Sequence, residues 1–343
     1  MKIGLVGYQG CGKSTLFELL TGTAPDLSKT QTGQLGVAVV PDDRFDRLVA
    51  LHNPKKIVNA KIELFDTPGL SRSEKQQNAG RLSVIREANA LVHVIGSFSG
   101  IDAMSEMESF TDDLILADLE LVVNRIKRLE KDSIKPRPDR EELKAELESL
   151  QPIKQRLDTG KTLLGMELSE LQEKVCRGFA LLTMKKQLIV LNTEDSSIDG
   201  ALLSSLKDAG HIVVSGPIGL ELEVQSLPEE DRDEFAAEMG LAETCRERIL
   251  QAIFEVTDLV TFFTSGEKEV HAWLLNRGST VLEAADSIHS DLARGFVRAE
   301  IWQVEDLLKL GSERELKAAG LNRVVGKEYI VQDGDEVFIR SGV

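Results

Sequence analysis

Eight residues near the start of the chain, Gly7-Tyr8-Gln9-Gly10-Cys11-Gly12-Lys13-Ser14, leave it few folds to choose from. They spell G-x-x-x-x-G-K-[ST], the phosphate-binding loop. The loop stands between a short apolar run, Lys2 to Val6, and a helical pattern from Ser14 to Thr21 that carries Leu16, Phe17, Leu19 and Leu20. Strand, glycine loop and helix in that order let successive backbone N–H groups turn toward one anion, and the helix N-terminus adds partial positive charge. Lys13 is expected to reach the β- and γ-phosphates of a nucleotide, and the Ser14 hydroxyl to ligate Mg2+. The expected nucleotide-binding stretch is therefore Gly7 to Ser14 together with Thr15.

Further short apolar runs, Ile62 to Phe65, Leu91 to Ile95, Leu188 to Leu191 and His211 to Val214, alternate with helical patterns. Such alternation predicts an α/β fold with a parallel-type sheet covered by helices. The texture changes after Asp112, where Ile115, Leu119, Val122, Ile126 and Leu129 repeat at spacings of four and three, the seam of a two-helix coiled coil. Lys135-Pro136-Arg137-Pro138 breaks it, and Leu143, Leu147 and Leu150 resume it. The stretch reads as an inserted α-helical hairpin whose returning arm should kink or stop at Pro152. Beyond Asp258 short strands and turns dominate, and Tyr329 to Ile339 predicts a β-hairpin around Asp333-Gly334. The expected domains are a nucleotide-binding domain over 1–111 and 179–261, the hairpin over 112–178, and a separate small domain over 262–343.

Asp66-Thr67-Pro68-Gly69 follows the run ending at Phe65, as the D-x-x-G element of a nucleotide switch would. Asp66 can hold Mg2+ and the Gly69 amide can bond the γ-phosphate. In the polar stretch Leu27 to Gln34, Thr30 is the first choice for a switch threonine on the metal, with Thr32 the alternative. Asn192-Thr193-Glu194-Asp195, after the run ending at Leu191, fits the base-reading pattern N-x-x-D without its usual lysine, and Ser215-Gly216 follows the next run where a base-supporting loop would lie. Cys11 combines a neighbouring lysine with a helix N-terminus, which can lower a thiol pKa, although a small residue there is more often plain packing. His93, on an apolar run, reads as a satisfied core residue, and the other histidines, His52, His211, His271 and His289, make no metal spacing.

Among 343 residues, 42% are hydrophobic and 29% charged, the balance of a globular protein with a real core. Acidic residues outnumber basic ones by 57 to 41, a net charge of -16, which argues against a generic DNA-binding face. No apolar run approaches the roughly 18 residues that span a bilayer, and the N-terminal apolar stretch is too short for a signal peptide. The three cysteines form no CxxC pair. The expected setting is cytoplasmic, with no membrane partner.

Together these residues resemble the YchF / Obg-like ATPases. The similarity rests on Gly7 to Ser14, on Val39-Val-Pro-Asp-Asp-Arg-Phe-Asp-Arg-Leu48, on Asp66 to Leu70 and on Asp118-Leu-Glu. Phe263 to Trp273, Gly295 to Glu300 and Tyr329 to Asp335 are similar to that family's TGS domain. The resemblance covers essentially the whole chain. It implies a GTPase-fold core, a helical hairpin, a β-grasp TGS domain, slow Mg2+-dependent hydrolysis of ATP or GTP, and a role near the ribosome. The family carries N-x-x-E as base reader. Aligning that glutamate on Glu194 puts Leu191 where the asparagine belongs, so one register favours guanine and the other leaves the base open, with ATP slightly favoured. Leu70 stands where a small GTPase has its water-orienting glutamine. The loop Gly100 to Phe110 also lacks the histidine that is a candidate for that task in relatives, so no residue is assigned to catalysis. The alternative is a nucleotide-dependent binding module with little hydrolysis.

Overall fold

The computed structural model describes residues 1–98, 102–136, 138–195, 200–241 and 244–342. In chain order the strands are β1 Lys2–Val6, β2 Gln34–Val39, β3 Lys56–Val58, β4 Lys61–Asp66, β5 Ala90–Gly96, β6 Gln187–Asn192, β7 Ile212–Gly216, β8 Leu259–Thr264, β9 Glu269–Asn276, β10 Phe296–Gln303, β11 Arg323–Val325 and β12 Asp335–Ser341. The first eight helices are α1 Lys13–Thr21, α2 Asp43–His52, α3 Lys75–Ile85, α4 Ala103–Asp132, α5 Arg140–Asp158, α6 Glu170–Gly178, α7 Gly200–Asp208 and α8 Ile218–Ser226. The chain divides into two compact units, Met1–Gly36 with Glu63–Ala252, and Val37–Ile62 with Ile253–Val343.

The first unit is built on a sheet of order β2-β4-β1-β5-β6-β7. Strands β4, β1, β5, β6 and β7 run parallel to one another. All seven residues of β5 are buried, as a central parallel strand covered on both faces requires. From β1 the chain crosses to β4 on one side and to β5 on the other. The carboxyl end of β1 is therefore the point where strand order reverses, and a crevice opens there. The loop Gly7 to Ser14 leaves β1 at that point. Helix α1 buries Leu16, Phe17, Leu19 and Leu20, each worth roughly 1.5–3 kcal/mol, which fixes the loop's far end.

Helix α4 begins at Ala103, earlier than the expected Asp112, because Asp102 caps it by accepting from the Met104 amide. Ile115, Val122, Ile126 and Leu129 of α4 meet Leu150, Ile153 and Leu157 of α5 in one core, as the heptad-like spacing predicts. Pro152 neither stops nor ends α5, which continues to Asp158. Its apolar neighbours Leu150 and Ile153 are fully buried, and this packing outweighs the backbone bond that proline cannot make.

In the second unit the sheet has the order β11-β10-β12-β8-β9-β3, with β8–β9 and β10–β12 antiparallel and β12–β8 parallel. Helix Val281–Ile288 packs its Val281 and Ala284 into the same core as Phe262, Ile301 and Val337. Residues 37–62, which the sequence reading assigns to the nucleotide-binding part, belong here. Strand β3 pairs with β9, Phe45 stacks on Phe263 at 6.4 Å, and Arg44 bonds Asp333 at 2.7 Å. The predicted hairpin over Tyr329 to Ile339 does not form, because only its second run is a strand. Asp333 instead accepts from the Thr261 amide, and Asp335 from Tyr329 Oη and the Gln332 amide, so the first run wraps as a loop.

Candidate functional site

Two glycines give the loop its path. Gly7 and Gly12 have φ of 139° and 100°, and a side chain at either would collide, with the Val94 carbonyl and the Asn192 amide respectively. Beside the loop lies a cavity of about 540 Å3, whose wall includes Gln9, Gly10, Lys13, Ser14, Thr30, Asp66, Gly69 and Arg81. Lys13 is buried at 7% exposure and its Nζ donates to the Tyr8 carbonyl at 2.8 Å, close enough to Gly69 that a Cβ there would lie 2.8 Å from it. The lysine, the switch glycine and the loop thus meet at one end of the cavity.

Ser14 Oγ donates to Asp66 Oδ2 at 2.7 Å, joining the ends of two motifs 52 positions apart. Among the described residues, Asp66 Oδ1 is buried without a hydrogen-bond partner. Burial pushes the Asp66 carboxyl above its ordinary range, against Ser14 and Lys13, which favour the charged form. A hydroxyl beside a carboxylate with one uncommitted oxygen suits Mg2+, which takes one or two protein ligands and completes its shell with water and phosphate oxygens. Thr30 lines the same cavity, with its Oγ1 donating to the Leu27 carbonyl at 3.2 Å, whereas Thr32 does not.

A second cavity, of about 380 Å3, adjoins the loop at Gly10 and Gly12 and is walled by Thr15, Phe98, Asn192, Thr193, Glu194 and Leu220. Asn192 is 5% exposed, and both ends of its amide are engaged. Nδ2 donates to the Cys11 carbonyl at 3.1 Å, and Oδ1 accepts from the Ile218 amide at 3.3 Å. It braces the phosphate loop against α8. Leu191, on β6, is buried in the core with Ile189 and Leu206. Glu194 faces the cavity, while Asp195 is exposed outside its wall and its carbonyl accepts from Thr193 Oγ1. Ser215 and Gly216 are not part of this wall. Arg248 donates to the Ser215 carbonyl, and the Gly216 carbonyl holds the Thr193 amide at 3.1 Å.

Four side chains near the loop show what burial does to them: Cys11 and Leu70 pack as the sequence reading expects, whereas His93 is not satisfied among the described residues and Tyr8 does not line the cavity. The Cys11 thiol is pushed up by burial, which outweighs the lowering by Lys13. His93 is fully buried in the core but makes no hydrogen bond among the described residues. It stacks on Phe110 at 4.1 Å, and burial drives it down to about 3, so it is neutral. Tyr8 points away from the phosphate cavity, its hydroxyl donating to Asp113 at 2.9 Å. Leu70 has no exposed surface and packs with Tyr8 and Phe110, while its amide bonds the Gly7 carbonyl at 3.1 Å, so it faces away from any attacking water.

Phe98 and Arg81 are wall residues that motif reading passes over. Phe98 is placed by the end of β5. Arg81 is placed by the direction of α3, which a side-chain clamp fixes: Asn78 accepts from the Ser71 amide at 2.9 Å and donates to the Ser71 carbonyl at 3.0 Å. No local sequence signal announces either.

Residues 2–125 match the family profile described as a 50S ribosome-binding GTPase, and residues 259–341 match the C-terminal profile of YchF GTPases, described as a protein of unknown function. The chain is 35% identical to the ribosome-binding ATPase YchF of Bacillus subtilis, with 99% of each chain covered. It is 32% identical to the protein of the same name from Escherichia coli O157:H7, with 97% of each covered. Obg-like ATPase 1 of Oryza sativa subsp. japonica is 31% identical over 100% of this chain and 92% of its own. The solved structure of the Schizosaccharomyces pombe YchF GTPase shares the fold, with a TM-score of 0.81, 24% identity, and coverage of 99% of this chain and 97% of that one.

Proposed function

The chain belongs to the YchF / Obg-like ATPase family, and on that premise we propose that it is a nucleotide-dependent switch that hydrolyses a purine triphosphate slowly and acts on the ribosome. One observation carries the reading. Lys13, Ser14, Asp66 and Gly69, drawn from two separate motifs, converge on one cavity in which Asp66 Oδ1 is left uncommitted. In this reading Lys13 and the loop amides bind the phosphates. Ser14, Asp66 and Thr30 hold Mg2+, which neutralises phosphate charge, and the Gly69 amide senses the γ-phosphate.

The base is read in the second cavity by Phe98 stacking and by Glu194. A carboxylate favours guanine only if it can accept from N1–H and the 2-amino group together. With Asp195 outside the wall and Asn192 engaged with the loop, ATP binds at least as tightly as GTP. Relatives named ribosome-binding ATPases support a ribosomal partner, reached through the hairpin and the C-terminal unit. The protein acts in the cytoplasm, where ribosomes and nucleotide meet. Among the described residues no helix is long and apolar enough to cross a membrane.

Hydrolysis without a partner is slow because Leu70 cannot orient water. A small GTPase with its glutamine in place turns over at about 10⁻⁴ per second, and a partner raises this on the order of 10⁵-fold. Single-turnover hydrolysis with and without ribosomes tests the reading. Stimulation by ribosomes from the low intrinsic range supports it, and several turnovers per second by the protein alone refute it.

A further inference from the structure

We propose that Arg81 is a catalytic residue, an arginine supplied by this chain's own α3 to neutralise the γ-phosphate as it is transferred to water. The inference rests on the nucleotide reading of the phosphate cavity and adds to it the group that motif reading leaves unassigned. Arg81 is 5% exposed and lines the cavity together with Lys13, Ser14, Asp66 and Gly69. Its Nη2 donates to Gln77 Oε1 at 3.1 Å, while among the described residues Nη1 is buried without any partner.

A buried guanidinium with an unspent N–H is costly in a protein at rest, and an anion placed against it removes the cost. The same cavity holds the complementary atom, the unpartnered Asp66 Oδ1. A carboxylate oxygen and a guanidinium nitrogen, each without a partner among the described residues and both from residues lining one cavity, match a ligand of mixed charge between them. A metal-bound phosphate has that character: Asp66 would hold its cation and Arg81 would donate to its oxygens.

Helix α3 also makes the contact conditional on the nucleotide. Asn78 bonds both the amide and the carbonyl of Ser71, two residues after Gly69, so the switch segment and α3 are tied together. A γ-phosphate bonded by the Gly69 amide would therefore also fix α3, and Arg81 with it, whereas a diphosphate would not. In the hydrolytic step the water oxygen bonds to the γ-phosphorus and the bond from that phosphorus to the β–γ bridging oxygen breaks. The electron pair stays on the diphosphate, and the water's proton leaves with inorganic phosphate or to solvent. Arg81 donates to the equatorial oxygens while this happens. Stabilisation by fixed charge is the kind of catalysis still open to a site whose Leu70 cannot position water.

The test uses the full-length protein with Mg2+, ATP, ADP, and ADP with aluminium fluoride as a mimic of the transferring phosphoryl group. Arg81→Met keeps the side chain's length and removes its charge. It should slow single-turnover hydrolysis about a hundredfold or more. It should also weaken ATP about tenfold, leave ADP within twofold, and abolish the aluminium fluoride complex. Arg81→Lys, which keeps charge but not the planar fork, should recover ATP affinity more than rate. It carries the test if Arg81→Met melts early. The two affinity readouts hold even for a protein that barely turns over. A folded Arg81→Met protein that keeps the ATP-to-ADP ratio and the aluminium fluoride complex of the wild type overturns this inference alone. A wild-type protein that binds neither nucleotide overturns it together with the nucleotide reading.

Discussion

His93 and Glu336 set opposite pH limits on stability, and each sign follows from burial. His93 is driven from an ordinary value near 6.5 to about 3, so its contribution is complete above 6.5 and is lost as the pH falls toward 3. Glu336, in the second unit, is pushed up by burial to about 7, although Ser265 Oγ and Trp302 Nε1 both donate to it. Its contribution is complete below about 4.5 and is lost as the pH rises through 7. The raised carboxyl corresponds to a loss on the order of 3 kcal/mol at alkaline pH. Calorimetric melting from pH 4 to 9 should therefore show Glu336→Gln flattening the alkaline limb and His93→Leu flattening the acid one. Identical pH profiles in variant and wild type would remove these two residues from the account.

At the scale of elements, one buried carboxylate of α4 ties the hairpin to the segments that leave α3 and lead into β6. Asp118 has no exposed surface and accepts from the Leu182 amide at 3.1 Å, from the Thr183 amide and hydroxyl at 2.8 Å each, and from Arg86 at 2.6 Å. Asp118→Ala strands the Arg86 charge, and losses of this kind run to roughly 3–5 kcal/mol. Denaturant unfolding followed by circular dichroism should show that loss. A cost below about 1 kcal/mol would mean that apolar packing alone seats the hairpin.

What the sequence makes legible follows the same scale. Apolar runs bounded by glycine and polar residues mark β1, β4, β5, β6 and β7 to within a residue or two, because strands such as β5 and β6 are buried on both faces, while β4 keeps Ile62, Leu64 and Phe65 buried beside exposed Lys61 and Glu63. The Gly7 to Ser14 loop is legible because its task dictates residue type at each position. Residues 37–62 are not, since Phe45 and Leu48 mark an apolar helix face without saying which sheet will cover it. Arg81 and Phe98 are equally silent, for their roles depend on where α3 and the end of β5 point. The Tyr329 to Ile339 hairpin misleads because alternation and a turn dipeptide cannot foresee that Asp333 will bond the Thr261 amide and Asp335 the Gln332 amide and Tyr329 hydroxyl.

At the scale of the molecule, a net charge of -16 means that any contact with RNA would fall to local patches of lysine and arginine. Cosedimentation with ribosomes should weaken steeply with salt and should be stronger with a non-hydrolysable ATP analogue than with ADP, since the switch segments reorganise around the γ-phosphate. Equal cosedimentation in both nucleotide states would separate ribosome binding from the switch. The central claim, a Mg2+-dependent purine triphosphate site built on Lys13, meets its most direct test in an equilibrium titration of wild-type and Lys13→Ala protein with ATP and with GTP. The account predicts ATP bound at least as tightly as GTP by the wild type. It predicts at least a tenfold loss for both in Lys13→Ala, whose circular dichroism stays native. Unchanged affinity in Lys13→Ala, or a wild type that binds neither nucleotide, would contradict it.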